Sequence, residues 1–181
     1  MQEQYIDFLL DKYGLKDANP VSTLMDLNVK LEMEVKKQRE EAEAYPKIEH
    51  GYVQLISSLM YLALATCPNI SYTINQLAQF TSNPKAIHWT AVKRIFRYLK
   101  YTKENSLTYG GKEEINNTNI NFFSDADWGN NSDQKSISGY VTIITGGAIA
   151  WSSKKQQTVA LSTTEAEYIA TTHAAKQVLW H

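Results

Sequence analysis

The sequence predicts an α+β fold: a helical first half, then a small antiparallel three-stranded sheet with one helix. Three observations predict it. Apolar residues recur at helical spacing up to about residue 103, most clearly at Trp89, Val92, Phe96 and Leu99. From residue 120 the pattern changes to short strand-like runs, Ile120 to Asp125, Ile137 to Ile144 and Ala148 to Ser152. Between the last two runs stands Gly146-Gly147, and glycines tolerate the positive φ that a tight hairpin turn requires.

Residues 2–13 read as a helix, with Ile6, Leu9, Leu10 and Tyr13 on one side and Gly14 as its stop. Residues 15–30 carry Asn19-Pro20 and read as loop or extended chain. Residues 30–49 are rich in Glu and Lys and fit a solvated helix or a linker equally well, with Pro46 ending any helix there. Three helices follow. Glu49 to Ala65 aligns Leu55, Leu59 and Leu62 and is broken by Pro68. Ser71 to Phe80 is broken by Asn83-Pro84, and Ala86 to Tyr101 carries the Trp89 stripe. On this last helix Lys93, Arg97 and Lys100 lie away from the stripe, flanked by Arg94, with Lys103 and His88 expected beside them as a cationic surface.

Gly110-Gly111 and Asn116-Asn117-Thr118-Asn119 separate helices from strands. In the first strand Ile120 and Phe122 share one face, Phe123 and Asp125 the other. Trp128-Gly129-Asn130-Asn131 marks a turn, Thr158 to Leu161 is a candidate extension of the sheet, and Thr163 to Leu179 is a final helix.

A chain of 181 residues with 43% hydrophobic content can build one large domain or two small ones. Cys67 is the single cysteine, which excludes an internal disulfide and fits a reducing, intracellular setting, cytoplasmic or nuclear. The longest purely apolar run, Leu59 to Ala65, is too short to span a bilayer, so no membrane partner is expected. Charge is unevenly placed. Residues 1–49 hold seven basic and eleven acidic side chains, residues 50–103 six basic and no acidic, and residues 104–181 five basic and eight acidic. A basic island of this kind suits phosphates, with Lys93, Arg94, Arg97 and Lys100 as candidate nucleic-acid contacts beside Trp89 and Tyr98. A solvated face pairing with the acidic flanks is the plainer use of the same charges. His173 and His181 stand too far apart from other ligands to suggest a metal.

Two acidic motifs carry the chemistry. Phe122-Phe123-Ser124-Asp125-Ala126-Asp127-Trp128 ends a strand, and Ser162-Thr163-Thr164-Glu165-Ala166-Glu167-Tyr168 opens a helix. Ser162 and Glu165 match a capping box. Glu167 lies about 200° further round the helix and shares a side with Ala170 and Ala174, small residues that allow close approach to a sheet. Glu167 is therefore the candidate to meet Asp125, and Asp127 joins Asp125's side if the strand runs on. Acids from a strand end and a neighbouring helix can hold Mg²⁺ against a phosphate. Taken alone, each acid equally suits a turn or a helix start.

The chain resembles the Pol polyproteins of copia-type retrotransposons over nearly its whole length. The segments that carry the resemblance begin with Gln4-Tyr5-Ile6-Asp7-Phe8-Leu9-Leu10 and Pro20-Val21-Ser22-Thr23. They continue with Leu55-Ile56-Ser57-Ser58-Leu59-Met60-Tyr61-Leu62-Ala63 and His88-Trp89-Thr90-Ala91-Val92-Lys93-Arg94-Ile95-Phe96-Arg97-Tyr98-Leu99-Lys100. Ser124-Asp125-Ala126-Asp127-Trp128, Ser138-Gly139-Tyr140, Trp151-Ser152-Ser153-Lys154-Lys155-Gln156 and Thr164-Glu165-Ala166-Glu167-Tyr168-Ile169-Ala170 complete the series.

The resemblance implies a layout: residues 1–48 as the end of a reverse transcriptase and a charged linker, 49–104 as a helical connection region, and 105–181 as a partial ribonuclease H-like domain. It also implies that Asp125 and Glu167 are catalytic ligands of Mg²⁺ and that the partner is an RNA–DNA hybrid or other nucleic acid. Some positions depart from the family pattern. Ser57, Tyr101 and Ser106 stand where the family has glycine, Cys67-Pro68-Asn69 where it commonly has Arg-Pro-Asp, and Gln134-Lys135-Ser136 where it commonly has Arg-Lys-Ser. The family's third acidic ligand follows the helix and has no counterpart before His181. The expectation is therefore a weak or incomplete Mg²⁺ site, inactive as a nuclease in this chain. Homo-oligomerisation or remaining Pol segments would complete the sheet. The alternative is a non-catalytic protein-interaction module derived from a retroelement.

Overall fold

The computed structural model describes residues 2–26, 31, 48–110, 119–129 and 133–179. The chain forms two compact units, Met1–Ser106 and Leu107–His181. Among the described residues there are five α-helices and one open three-stranded sheet. The choice between helix and linker over residues 30–49 falls largely outside the described residues, as do Asn130-Asn131 and His181.

The first unit is helical: α1 (Gln2–Lys12), α2 (Ile48–Ala65), a 3-10 turn (Pro68–Ile70), α3 (Ser71–Ala78) and α4 (Ala86–Thr102). Gly14 ends α1 at φ +65°, a conformation glycine reaches without the steric cost of a side chain. Ile6, Leu9 and Leu10 of α1 join Tyr52, Leu55, Leu59 and Leu62 of α2 in one core. The Tyr52 hydroxyl enters that core and donates to the Leu77 carbonyl on α3 at 2.9 Å, which satisfies it there. On α4 the expected stripe is buried at Val92, Phe96 and Leu99, while Trp89 is half-buried beside the Tyr52 ring. Each fully buried side chain of this size contributes roughly 1.5–3 kcal/mol.

His88 does not belong to the cationic surface. It precedes Val92 by one helical turn, sits on the apolar stripe and is fully buried. Its ring stacks on Phe80 with centroids 3.9 Å apart, and Nδ1 accepts the Lys85 main-chain N–H at 3.0 Å, closing the start of α4. Burial pushes the imidazole pKa down to about 4, so the ring is neutral at pH 7.

The second unit holds β1 (Ile120–Asp127), β2 (Ile137–Ile144), β3 (Gly147–Lys155) and α5 (Thr163–Val178). The strands are antiparallel in the order β1-β2-β3, which makes β1 an edge strand. β1 runs two residues past its expected end, because Asp127 still pairs with Ile137, and the chain then turns through Gly129 at φ +64°. Residues 158–161 add no strand. The hairpin turn is also displaced by one residue. Thr145 (φ 47°) and Gly146 (φ 78°) supply the positive pair, and Gly147 is the first residue of β3. Gly147 is needed for space instead: a Cβ there would strike the Tyr109 ring and the Thr108 carbonyl.

α5 packs on β1 and β2 through Ala166, Ala170 and Ala174, all fully buried. The Ser162 hydroxyl accepts the Glu165 N–H at 3.1 Å, and Glu165 Oε2 accepts the N–H of Leu161 at 2.6 Å. Glu165 thus closes the helix start, reaching one residue further back than the standard box. No described helix is long and apolar enough to cross a membrane.

Candidate functional site

Alternation along β1 decides where its acids lie. Ser124 Oγ meets Thr171 Oγ1 of α5 at 3.2 Å, so Phe122, Ser124 and Ala126 occupy the face under the helix. Tyr140, the ladder partner of Ser124, agrees, since its ring lies 5.6 Å from that of His173 on α5. Asp125 and Asp127 therefore share the opposite face with Phe123, which is 57% exposed.

Glu167 reaches the strand from the helix side. Its Oε1 accepts the main-chain N–H of Ala126 at 3.4 Å, a long hydrogen bond. Asp125 and Asp127 are the chain neighbours of that amide. The glutamate thus meets the β1 backbone between the two aspartates, while their side chains leave the strand on its other face. Three further contacts fix this meeting. Trp128 Nε1 donates to the Ala160 carbonyl at 3.2 Å, joining the end of β1 to the approach to α5. Ser124 and Thr171 join strand and helix one turn further on. Gln156, buried beyond β3, donates from Nε2 to Ser138 Oγ at 2.9 Å and to the Ala166 carbonyl at 3.0 Å. Local periodicity gives no signal for Gln156, which the sequence marks only as the end of the run Lys154-Lys155-Gln156.

Carboxylate oxygens are the donor type Mg²⁺ prefers, but the ion wants about six oxygens in near-octahedral array. Among the described residues no three of His, Cys, Asp and Glu gather as a metal-binding group. Among the described residues the carboxylates of Asp125, Asp127 and Glu167 do not gather into such an array. His173 is a packing residue, its pKa lowered by burial first and by Lys154 and Lys176 second.

The cationic candidates on α4 have partners within the first unit. Arg94 donates from Nε to the Thr23 carbonyl at 3.2 Å and from Nη2 to Thr23 Oγ1 at 2.7 Å. Arg97 Nε donates to the Asn19 carbonyl at 2.6 Å. Lys100 Nζ donates to the carbonyls of Lys16 and Ala18 at 2.7 and 3.0 Å. These side chains clamp the segment after α1 onto α4, satisfying carbonyls that an irregular segment cannot pair internally. Lys93 is exposed and lies 5.9 Å from the centre of the Trp89 ring. Lys103 pairs with Asp7 at 3.4 Å and Glu3 at 3.7 Å.

The chain is similar to the retrovirus-related Pol polyprotein from transposon TNT 1-94 of Nicotiana tabacum. They are 40% identical over 181 residues, which is 99% of this chain and 13% of that polyprotein. It is similar to the secreted RxLR effector protein 161 of Plasmopara viticola, 38% identical over 130 residues, 71% of this chain and 89% of that protein. It is also similar to an uncharacterized mitochondrial protein of Arabidopsis thaliana, 31% identical over 180 residues, 99% of this chain and 70% of that protein. The chain thus spans about an eighth of the length of the tobacco polyprotein. No family model matches the chain. No solved structure matches it.

Proposed function

The chain belongs to the copia-type, retrovirus-related Pol polyproteins of transposons, and from that membership we propose that it is the stretch linking a reverse transcriptase end to the first half of a ribonuclease H domain. In this reading it holds an RNA–DNA hybrid and does not cut it alone. The observation that carries the reading is the meeting of Glu167 with the Ala126 amide, between Asp125 and Asp127. That meeting brings an acid on a helix to a strand that already bears two, at the strand edge with no paired neighbour among the described residues. Further acidic ligands on that edge would complete a site for divalent cations; among the described residues no three of His, Cys, Asp and Glu gather as one.

Hybrid contact rests on α4. The clamping bonds of Arg94 and Arg97 do not exhaust a guanidinium, which has five N–H donors. Lys93 adds an exposed cation beside an aromatic ring, a combination suited to phosphate and base contact. The test is fluorescence anisotropy with an RNA–DNA hybrid over a salt series, run beside a cleavage assay. Binding that weakens steeply with salt, without cleavage, supports the reading.

A second reading, a protein-interaction module, draws on the edge position of β1 and on exposed Phe123. Stable oligomerisation with no hybrid binding would favour it.

A further inference from the structure

The second unit contains a closed ring of contacts that ends on Glu167. Ala126 of β1 is the ladder partner of Ser138 of β2. Ser138 Oγ accepts from Gln156 Nε2, and the same nitrogen donates to the Ala166 carbonyl on α5. Ala166 precedes Glu167, whose Oε1 returns to the Ala126 N–H. The Gln156 main-chain N–H is anchored in turn on the Ser136 carbonyl at 2.8 Å.

We propose that Gln156 is the positioning residue that sets Glu167 against the β1 edge; this rests on reading Glu167 as a site acid. The chemistry favours an amide here. A carbonyl such as that of Ala166 only accepts, so the side chain facing it must donate, and the planar amide has two N–H bonds to divide between Ala166 and Ser138. The bond to Ala166 fixes the helix one residue before the glutamate, where a small rotation would swing the carboxylate off the strand.

A purely structural role makes a different forecast. Gln156 is 6% exposed, and its Oε1 is buried with no hydrogen-bond partner among the described residues. An orphaned buried carbonyl oxygen is destabilising, and an apolar side chain of similar volume removes it.

The experiment is amide NMR on the full 181-residue chain, reading the Ala126 N–H. Glu167→Ala defines the signal of the broken contact. Gln156→Leu is expected to shift the Ala126 resonance in the same direction and to speed its hydrogen exchange about tenfold, with the unfolding midpoint kept. The double variant is expected to add nothing further. Gln156→Met repeats the test should the leucine variant fold poorly. A wild-type Ala126 signal in either folded Gln156 variant overturns the proposal. That failure is distinct from failure of the site reading, which would appear as hybrid binding indifferent to both Glu167→Ala and Asp125→Asn.

Discussion

Glu167 on α5 accepts the main-chain N–H of Ala126 on β1, so a helix carboxylate lies against the backbone of an edge strand. An unpaired strand edge invites pairing with another chain, and a charged side chain laid on it discourages that. The same contact brings the helix acid to the backbone between Asp125 and Asp127, whose side chains leave the strand on its other face. Two residues earlier, Glu165 does unrelated work at the helix start.

The two glutamates should therefore separate experimentally. Ser162→Ala removes the side-chain cap of α5 and should lower stability by about 1 kcal/mol, leaving hybrid affinity unchanged. Glu167→Ala should leave the urea midpoint near wild type and alter hybrid binding. Chemical denaturation and anisotropy on both variants check this.

Acid should weaken the fold through His88. The neutral buried imidazole has its pKa at about 4, against 6.5 for the ordinary group. Between these values the unfolded chain binds a proton that the folded chain does not, so stability rises with pH across the window. The contribution is complete above pH 6.5, declines as pH falls, and is lost near pH 4. Its size is roughly 3 kcal/mol. His88→Gln keeps an acceptor for the Lys85 N–H and does not titrate. Urea midpoints at pH 7 and pH 4.5 should differ less for that variant than for wild type.

The α4 cations should divide into clamps and contacts. Arg97→Ala should cost about 1 kcal/mol and expose residues 15–26 to protease, because the Asn19 carbonyl loses its donor. Lys93→Ala should leave stability unchanged and reduce the slope of log affinity against log salt by about one. Limited proteolysis and salt-series binding distinguish the two.

Gly147→Ala should destabilise the second unit by roughly 1–3 kcal/mol, since its Cβ would meet both the Tyr109 ring and the Thr108 carbonyl. Tyr109→Ala in the same chain should recover part of the loss, although it also removes the hydroxyl's 2.7 Å bond to the Ala148 carbonyl. Thermal unfolding of the single and double variants measures the recovery.

Local pattern accounts for what the sequence made legible. The α4 stripe, Gly14 as a stop, β2 from Ile137 to Ile144 and the Ser162 cap are all set by neighbours within a few residues. What it hid was set by distant partners. Arg97 and Asn19 are 78 positions apart, and nothing in the spacing of α4 reveals which carbonyls its cations will meet. Gln156 gains its meaning only when Ser138 and Ala166 arrive beside it. The Gly146-Gly147 signal correctly marked a turn, but the positive φ values fall on Thr145 and Gly146, and Gly147 lies against Tyr109 at the start of β3. His88 was legible in principle, one turn before Val92 on the apolar stripe; its cationic neighbours drew it to the wrong face.

The proposal that the acids of this chain hold a hybrid without cutting it is tested most directly by incubating the chain with an RNA–DNA hybrid and Mg²⁺, beside Asp125→Asn. Binding without cleavage above background is expected for both proteins. Robust cleavage by the wild-type chain, abolished by Asp125→Asn, would contradict it.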